Sequence, residues 1–415
     1  MMTALGRAVA DGRTLFGHNA AGRPGAPFRL ERAPGGSHAP DERVRATRIE
    51  LPQARRTWAV LGGRPAGAWG YCHGVNEHGV AAGCTRLRTR LRLNAPGLTG
   101  PDLARLALER GATARQAMEA LTGLIARHGQ GASPGRDDPH GHDAAVLLAD
   151  AREAFLVEAS GPAWVCQEVG EVRAAGDVCT VRQDWDAIAP GLAGRAIEYG
   201  WWPEDGSKLD FAGALGGEAD PGALRRWGQA TRLLEEQSGH IDVPFLRRVL
   251  GDHFEDSADE PGPQALCGHA SASRPSCTVA SLVAVLGAGV PLAWWAFGPP
   301  CAAVYLPLLP AGELPPALAG EGGPDLRLAR LSAAGDPALH GQARAALEGL
   351  QALLDAEAAE FLAEAAALRE RGQADELRRQ ATLFMSHAWE EFAEVTDGLV
   401  GRPHLSVTGS ELSVF

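Results

Sequence analysis

The sequence predicts a layered α+β fold, with helices covering stacked antiparallel sheets, and three features predict it. Apolar runs bounded by turn residues alternate with two blocks of helical periodicity, giving the order β, α, β, α, β. The consecutive runs between residues 143 and 181 return on one another across short turns, as an antiparallel meander does. The chain has 415 residues, 45% hydrophobic and 22% charged, so a large core can form between such layers.

The elements follow in order. Asp11-Gly12 separates Thr3 to Val9 from Thr14 to Asn19, an N-terminal hairpin pair. The Pro/Gly/Arg-rich stretch from Gly22 to Glu42 reads as a loop, and residues 57–62, 68–71 and 79–85 read as strands. Leu103, Leu106 and Ala107 then share one helical face. Thr113 suits the N-cap of a second helix whose stripe is Ala117, Leu121, Leu124 and Ile125. After the meander, helices over 222–237 and 243–253 precede apolar strands near 278–286, 292–297 and 302–306. A Pro/Gly-rich linker, 311–339, leads to helical sequence over 340–371 and 373–395. There Leu347, Leu350, Leu354 and Phe361 fall at the spacing of a face that covers the protein's own core.

Composition restricts function. Lys and Arg number 39 against 51 Asp and Glu, a net charge of −12, which disfavours a phosphate-backbone binder. Seven scattered cysteines include no C-x-x-C pair, so a reducing cytosol fits better than a disulfide framework. No apolar stretch of about 18 residues occurs, and Arg7, Asp11 and Arg13 interrupt the start where a signal peptide needs an apolar run. The expectation is a cytoplasmic protein without nucleic-acid or membrane partners and without a cofactor; its oligomeric state is left open.

Four patterns could hold chemistry. Asp137, Asp138, His140, His142 and Asp143 crowd one loop, but its Pro139 and Gly141 make a solvated turn a better reading than a metal site, so no metal is expected. Arg86, Arg88, Arg90 and Arg92 alternate along a strand and could face an anion, although a solvated edge is the plainer reading. Cys267 with His269, and Cys72 with His73, pair a thiol and an imidazole at spacings that separate them on a strand, which favours packing or loop roles. Asn76, in the turn GVNEHGVA between Gly74 and Gly79, presents an amide that could stabilise an oxyanion.

Taken in order, these pieces resemble the secernin and cysteine dipeptidase family of N-terminal-nucleophile hydrolases. The matching stretches are ALGRAVADGRTLFGHN, GVNEHGVAAG, GLTGPDLARLALERGATARQAMEALTGLIARHGQG, HDAAVLLADAREAFLVEASGPAWVCQEV, VRAAGDVCTV and CGHASASRPSCTVASLVAVL, covering most of residues 3–310. The resemblance implies a four-layer αββα sandwich over 1–310, followed by the linker and a helical extension over 340–415. It also implies hydrolysis of amide bonds in small peptides by an N-terminal cysteine whose own α-amine, with an ordinary pKa of about 8, is the base.

This chain departs from that pattern. The cysteine's position falls about two residues ahead of Met1 when the first strand is aligned on Ala4-Leu5. In the stretch His18-Asn19-Ala20-Ala21, Ala21 stands where the family has an acid, and Asp177 stands where it has an amide beside the oxyanion. Asn76 keeps its match, and His18 and Asn19 are supporting positions. The reading is a secernin-like protein that holds a small peptide or amide without hydrolysing it. The alternative is an active dipeptidase whose chain starts further upstream.

Overall fold

The structure, a computed structural model, describes residues 1–91, 96–131, 143–218, 220–254, 265–270, 275–287, 289–319 and 337–400. Strands β1 (Met2–Ala4), β2 (Thr14–Gly22) and β3 (Phe28–Ala33) open the chain. The short β4 (Gly36–Ser37), β5 (Arg43–Arg45), β6 (Glu50–Pro52) and β7 (Arg56–Thr57) lead to β8 (Val60–Pro65), β9 (His73–Asn76) and β10 (Ala81–Leu87). Helices α1 (Gly100–Arg110) and α2 (Ala114–His128) come next. The meander is β11 (Asp143–Ala149), β12 (Ala154–Ser160) and β13 (Ala163–Glu168); β14 (Val172–Ala174) leaves it to pair with β1, and β15 (Ala187–Ile188) pairs with β13. Helices α3 (Leu192–Glu198), α4 (Phe211–Leu215), α5 (Pro221–Glu236) and α6 (Val243–Leu250) follow. Strands β16 (Cys277–Leu286), β17 (Leu292–Phe297) and β18 (Leu306–Leu308) precede α7 (Pro316–Ala319), α8 (Pro337–Glu370) and α9 (Ala374–Val400).

Among the described residues two large antiparallel sheets form, ordered β14-β1-β2-β16-β17-β18 and β15-β13-β12-β11-β10-β9-β8-β3. They stack face to face, and a two-residue period sorts their side chains. On β11, Ala145 and Leu147 join the core that includes Phe16 and Leu282 of the first sheet, while Val146 and Leu148 meet Leu103, Leu106 and Leu121 of α1 and α2. Helices α5 and α6 lie against the first sheet, Leu246 and Leu250 packing toward Gly17 on β2. The result is the expected αββα layering.

Local chemistry explains where the helices start. Thr99 accepts from the Asp102 N–H, and the Asp102 carboxylate accepts from the Thr99 N–H, a reciprocal cap on α1. Thr113 accepts from the Gln116 N–H and caps α2 as the sequence predicts. One close approach fixes the sheet spacing: a Cβ on Gly83 would lie 3.0 Å from the Phe16 ring and 3.2 Å from His18, so only glycine leaves room there.

Five expectations are corrected. The run from residue 172 to 181 does not extend the meander, because only Val172–Ala174 is strand and it pairs with β1 in the first sheet. The stretch 22–42 is not all loop, because Phe28 and Leu30 alternate with Arg29 and Glu31 in Phe28–Ala33, the edge strand β3 on β8. Thr3 to Val9 is not one strand; β1 stops at Ala4, and Gly6–Ala8 is a 3₁₀ turn. Residues 68–71 form no strand, and the pairing falls at His73–Asn76 instead. The strand near 302–306 shifts to Leu306–Leu308, because Pro299 and Pro300 start a 3₁₀ turn there.

The C-terminal helices form a hairpin against the first sheet. Leu350, Leu354, Met385 and Phe392 belong to the same buried cluster as β16–β18. Arg247 of α6 clamps Asp355 of α8 through two 2.9 Å bonds and stacks over Trp294 at 4.3 Å. Among the described residues no helix is long and apolar enough to cross a membrane.

Candidate functional site

A cleft of about 960 Å³ opens where the leading end of β1, the trailing end of β2 and the end of β10 converge. Strand β1 lies between β14 and β2, with Met2 opposite both Ala174 and Gly17, so residue 1 is delivered to the cleft wall. The Met1 amine donates to the Ala175 carbonyl at 2.9 Å. Burial lowers it to about 6, partly offset by the carboxylate of Asp177.

Strand β2 splits its residues by parity. His18 points between the sheets, where its Nδ1 lies 2.9 Å from Nδ1 of His73 on β9. The rings meet edge to face, and Trp295 packs on His73 in the same way. Burial holds His18 well below the ordinary imidazole range, and its neighbour His73 adds to the effect; burial lowers His73 to about 3. Both are therefore neutral at pH 7, one donating its Nδ1 proton and the other accepting it. His18 borders the cleft floor, but its Nδ1 is committed to this pair. Asn19 points the other way and donates to the carbonyls of Leu250 at 2.8 Å and Leu266 at 3.1 Å, holding one wall of the cleft. Ala21 is exposed along the cleft and offers no acid.

Asp177 stands at the rim. Its carboxylate accepts from the Thr85 hydroxyl and from Arg226 of α5 at 3.2 Å. Arg86 and Arg88 also line the cleft, Arg90 donates to the Gly216 carbonyl at 3.2 Å, and Arg92 lies outside the described residues. The solvated-edge reading of this run is corrected for Arg86, because β10 lies between β9 and β11 and its outer end opens into the cleft. Asp143 closes the far side. Its carboxylate accepts from Thr89 and the Gly161 N–H, and burial raises it to about 6. The neighbouring Asp137, Asp138, His140 and His142 lie outside the described residues.

Asn76 is not among the cleft residues. It is fully buried in the β9–β10 turn, its Nδ2 donates to the carbonyls of Leu108 at 2.9 Å and Gly111 at 2.7 Å, and its Oδ1 accepts from the N–H groups of His78 and Val80. Both amide protons are committed, so the expected oxyanion donor instead joins the turn to the end of α1. The turn itself needs Gly79, which sits at φ 79°.

Nothing in the sequence pattern places two thiols in the cleft. Cys72 and Cys84 both line it, and burial pushes Cys72 up to about 12 and Cys84 well above its ordinary range. A thiol so raised is a poor nucleophile at neutral pH. The Arg226 partner of Asp177 is equally invisible in the sequence, because 49 residues separate the two and no local pattern joins them.

No family model matches the chain. Among solved structures, the chain is similar to a mutant of the conjugated bile acid hydrolase from Clostridium perfringens, at 13% identity and a TM-score of 0.41, over 71% of this chain and 88% of that one. It is similar to the penicillin V acylase from Agrobacterium tumefaciens at 13% identity and a TM-score of 0.37, over 72% and 86%. It is also similar to the Caenorhabditis elegans ortholog of N-acylethanolamine-hydrolyzing acid amidase, at 10% identity and a TM-score of 0.34, over 68% and 91%.

Proposed function

We propose that the chain binds small peptides or related amides in this cleft, as a secernin-like member of the dipeptidase family that does not hydrolyse them. The observation that supports this reading is the mixed charge of the cleft wall. Arg86, Arg88 and Arg226 supply guanidinium donors for a carboxylate, and Asp177 supplies a partner for an ammonium group. A short peptide is a zwitterion and presents both. The lack of turnover follows from the thiols that burial holds protonated, from Ala21, and from a carboxylate at Asp177 that would oppose a developing oxyanion.

A second reading, hydrolysis of the same ligands by a chain with a cysteine ahead of β1, rests on one feature. The leading end of β1 opens into the cleft, where burial lowers the Met1 amine to about 6, and an α-amine lowered in this way is unprotonated at neutral pH and able to act as a base.

The test is a dipeptide panel followed by calorimetry and product release, using this chain and a version extended by Met-Cys-Asp. Binding without turnover is expected, with Arg226→Ala weakening it on the order of tenfold through a lost charged hydrogen bond. Turnover by the chain as it stands overturns the first reading. Turnover confined to the extended version establishes the second.

A further inference from the structure

Away from the cleft's charged wall, four side chains converge in a way the amide-binding reading does not use. His253 follows α6, Cys267 and His269 lie in the segment 265–270, and Cys301 sits in the 3₁₀ turn between β17 and β18. Their ligand atoms all lie within 4.8 Å of one another. The Nε2 of His269 is 3.0 Å from Nε2 of His253 and 3.4 Å from the sulfurs of both Cys267 and Cys301.

The separations around His269 come within about 0.3 Å of the edges of a metal tetrahedron. With Zn–N of about 2.0 Å and Zn–S of about 2.3 Å, tetrahedral angles place ligand atoms roughly 3.3 to 3.8 Å apart. Two imidazole nitrogens at 3.0 Å must share a proton or face a cation between them, and two sulfurs beside them select a borderline-soft ion. We propose that His253, Cys267, His269 and Cys301 form a structural zinc site. Four protein ligands leave no open position, so the ion is structural and takes no part in hydrolysis.

The backbone holds the ligands from behind. The Cys267 N–H donates to the Asp252 carbonyl at 3.1 Å, and Gly268 exchanges bonds with Thr278 on β16 through its N–H and carbonyl. Next to His253, Phe254 has φ 66°, the single positive value at a non-glycine among the described residues, a local strain that its surroundings maintain. The ion joins α6, the 265–270 segment and the β17–β18 connection. Leu250 and Leu266, whose carbonyls Asn19 binds, sit on the first two, so the site braces that wall of the cleft.

The test uses the full chain without a polyhistidine tag, grown with supplemental zinc and freed of loose metal by dialysis. Elemental analysis is expected to find about one zinc per chain, and cobalt exchange is expected to give a thiolate-to-metal charge-transfer band. Cys301→Ser, a change at an exposed ligand, is expected to weaken retention by tenfold or more. Cys301→His, which restores four ligands, is expected to retain the metal. Zinc near background in the unsubstituted chain overturns the proposal. So does zinc that persists through both Cys301→Ser and His253→Ala.

Discussion

At the scale of single residues, the His18–His73 pair makes a prediction about acid. Both imidazoles are depressed in the folded state, so between their folded values and the ordinary value near 6.5 the unfolded chain binds more protons than the folded one. Stability therefore falls as pH drops below about 6.5, by up to about 1.4 kcal/mol per pH unit for each histidine. His73→Phe is expected to flatten the dependence of the melting temperature on pH between 6.5 and 4; an unchanged slope would sink the assignment. Asn76 supplies the contrast. Replacing it with Ala strands the carbonyls of Leu108 and Gly111 and two turn N–H groups, a loss of about 2 to 4 kcal/mol. A lowered melting temperature with ligand affinity unchanged in the folded fraction is expected; a selective loss of ligand binding would return Asn76 to the cleft. In the sequence a turn asparagine looks the same whether its amide faces a ligand or a helix end, and only the placement of α1 tells them apart.

At the scale of elements, short apolar runs between turn residues made β2, β10–β13 and β16 legible, several of them buried on both faces, and the helical period did the same for α1 and α2. Strand β3 was obscured by the Gly, Pro and Arg around Phe28 and Leu30; an edge strand needs few apolar residues, and flanking turn chemistry hides them. The Arg247–Asp355 clamp makes an element-scale prediction. Arg247 is largely buried between Trp294 and Tyr305, so Arg247→Ala leaves Asp355 without its fork and removes packing from both rings. The expected cost is about 2 to 3 kcal/mol, read in a denaturant titration as an earlier midpoint. Arg247→Lys is expected to recover only part of it, because an ammonium cannot make the paired bonds. Full recovery would show that charge alone couples α6 to α8.

For the whole molecule, a layered α+β fold followed from element order and the resemblance implied its αββα form, whereas the cleft's partners followed from neither. Arg226 meets Asp177 across 49 residues, and the four proposed zinc ligands span His253 to Cys301 with only the Cys267–His269 pair close in sequence. A one-dimensional pattern cannot rank such pairs until the sheets have placed them. The same global packing makes α8 and α9 part of the core. Each of Leu350, Leu354, Met385 and Phe392 contributes about 1.5 to 3 kcal/mol by burial. A chain ending at residue 336 is expected to aggregate or bind a hydrophobic dye; a monomeric, cooperatively melting truncate would show that the sandwich stands alone. The threading of β1 between β14 and β2 also has a practical side. Residues added ahead of Met1 emerge into the recess itself, so an uncleaved N-terminal affinity tag would compete with any ligand as a tethered occupant. Weak binding by a tagged preparation would then measure the tag's own effective concentration.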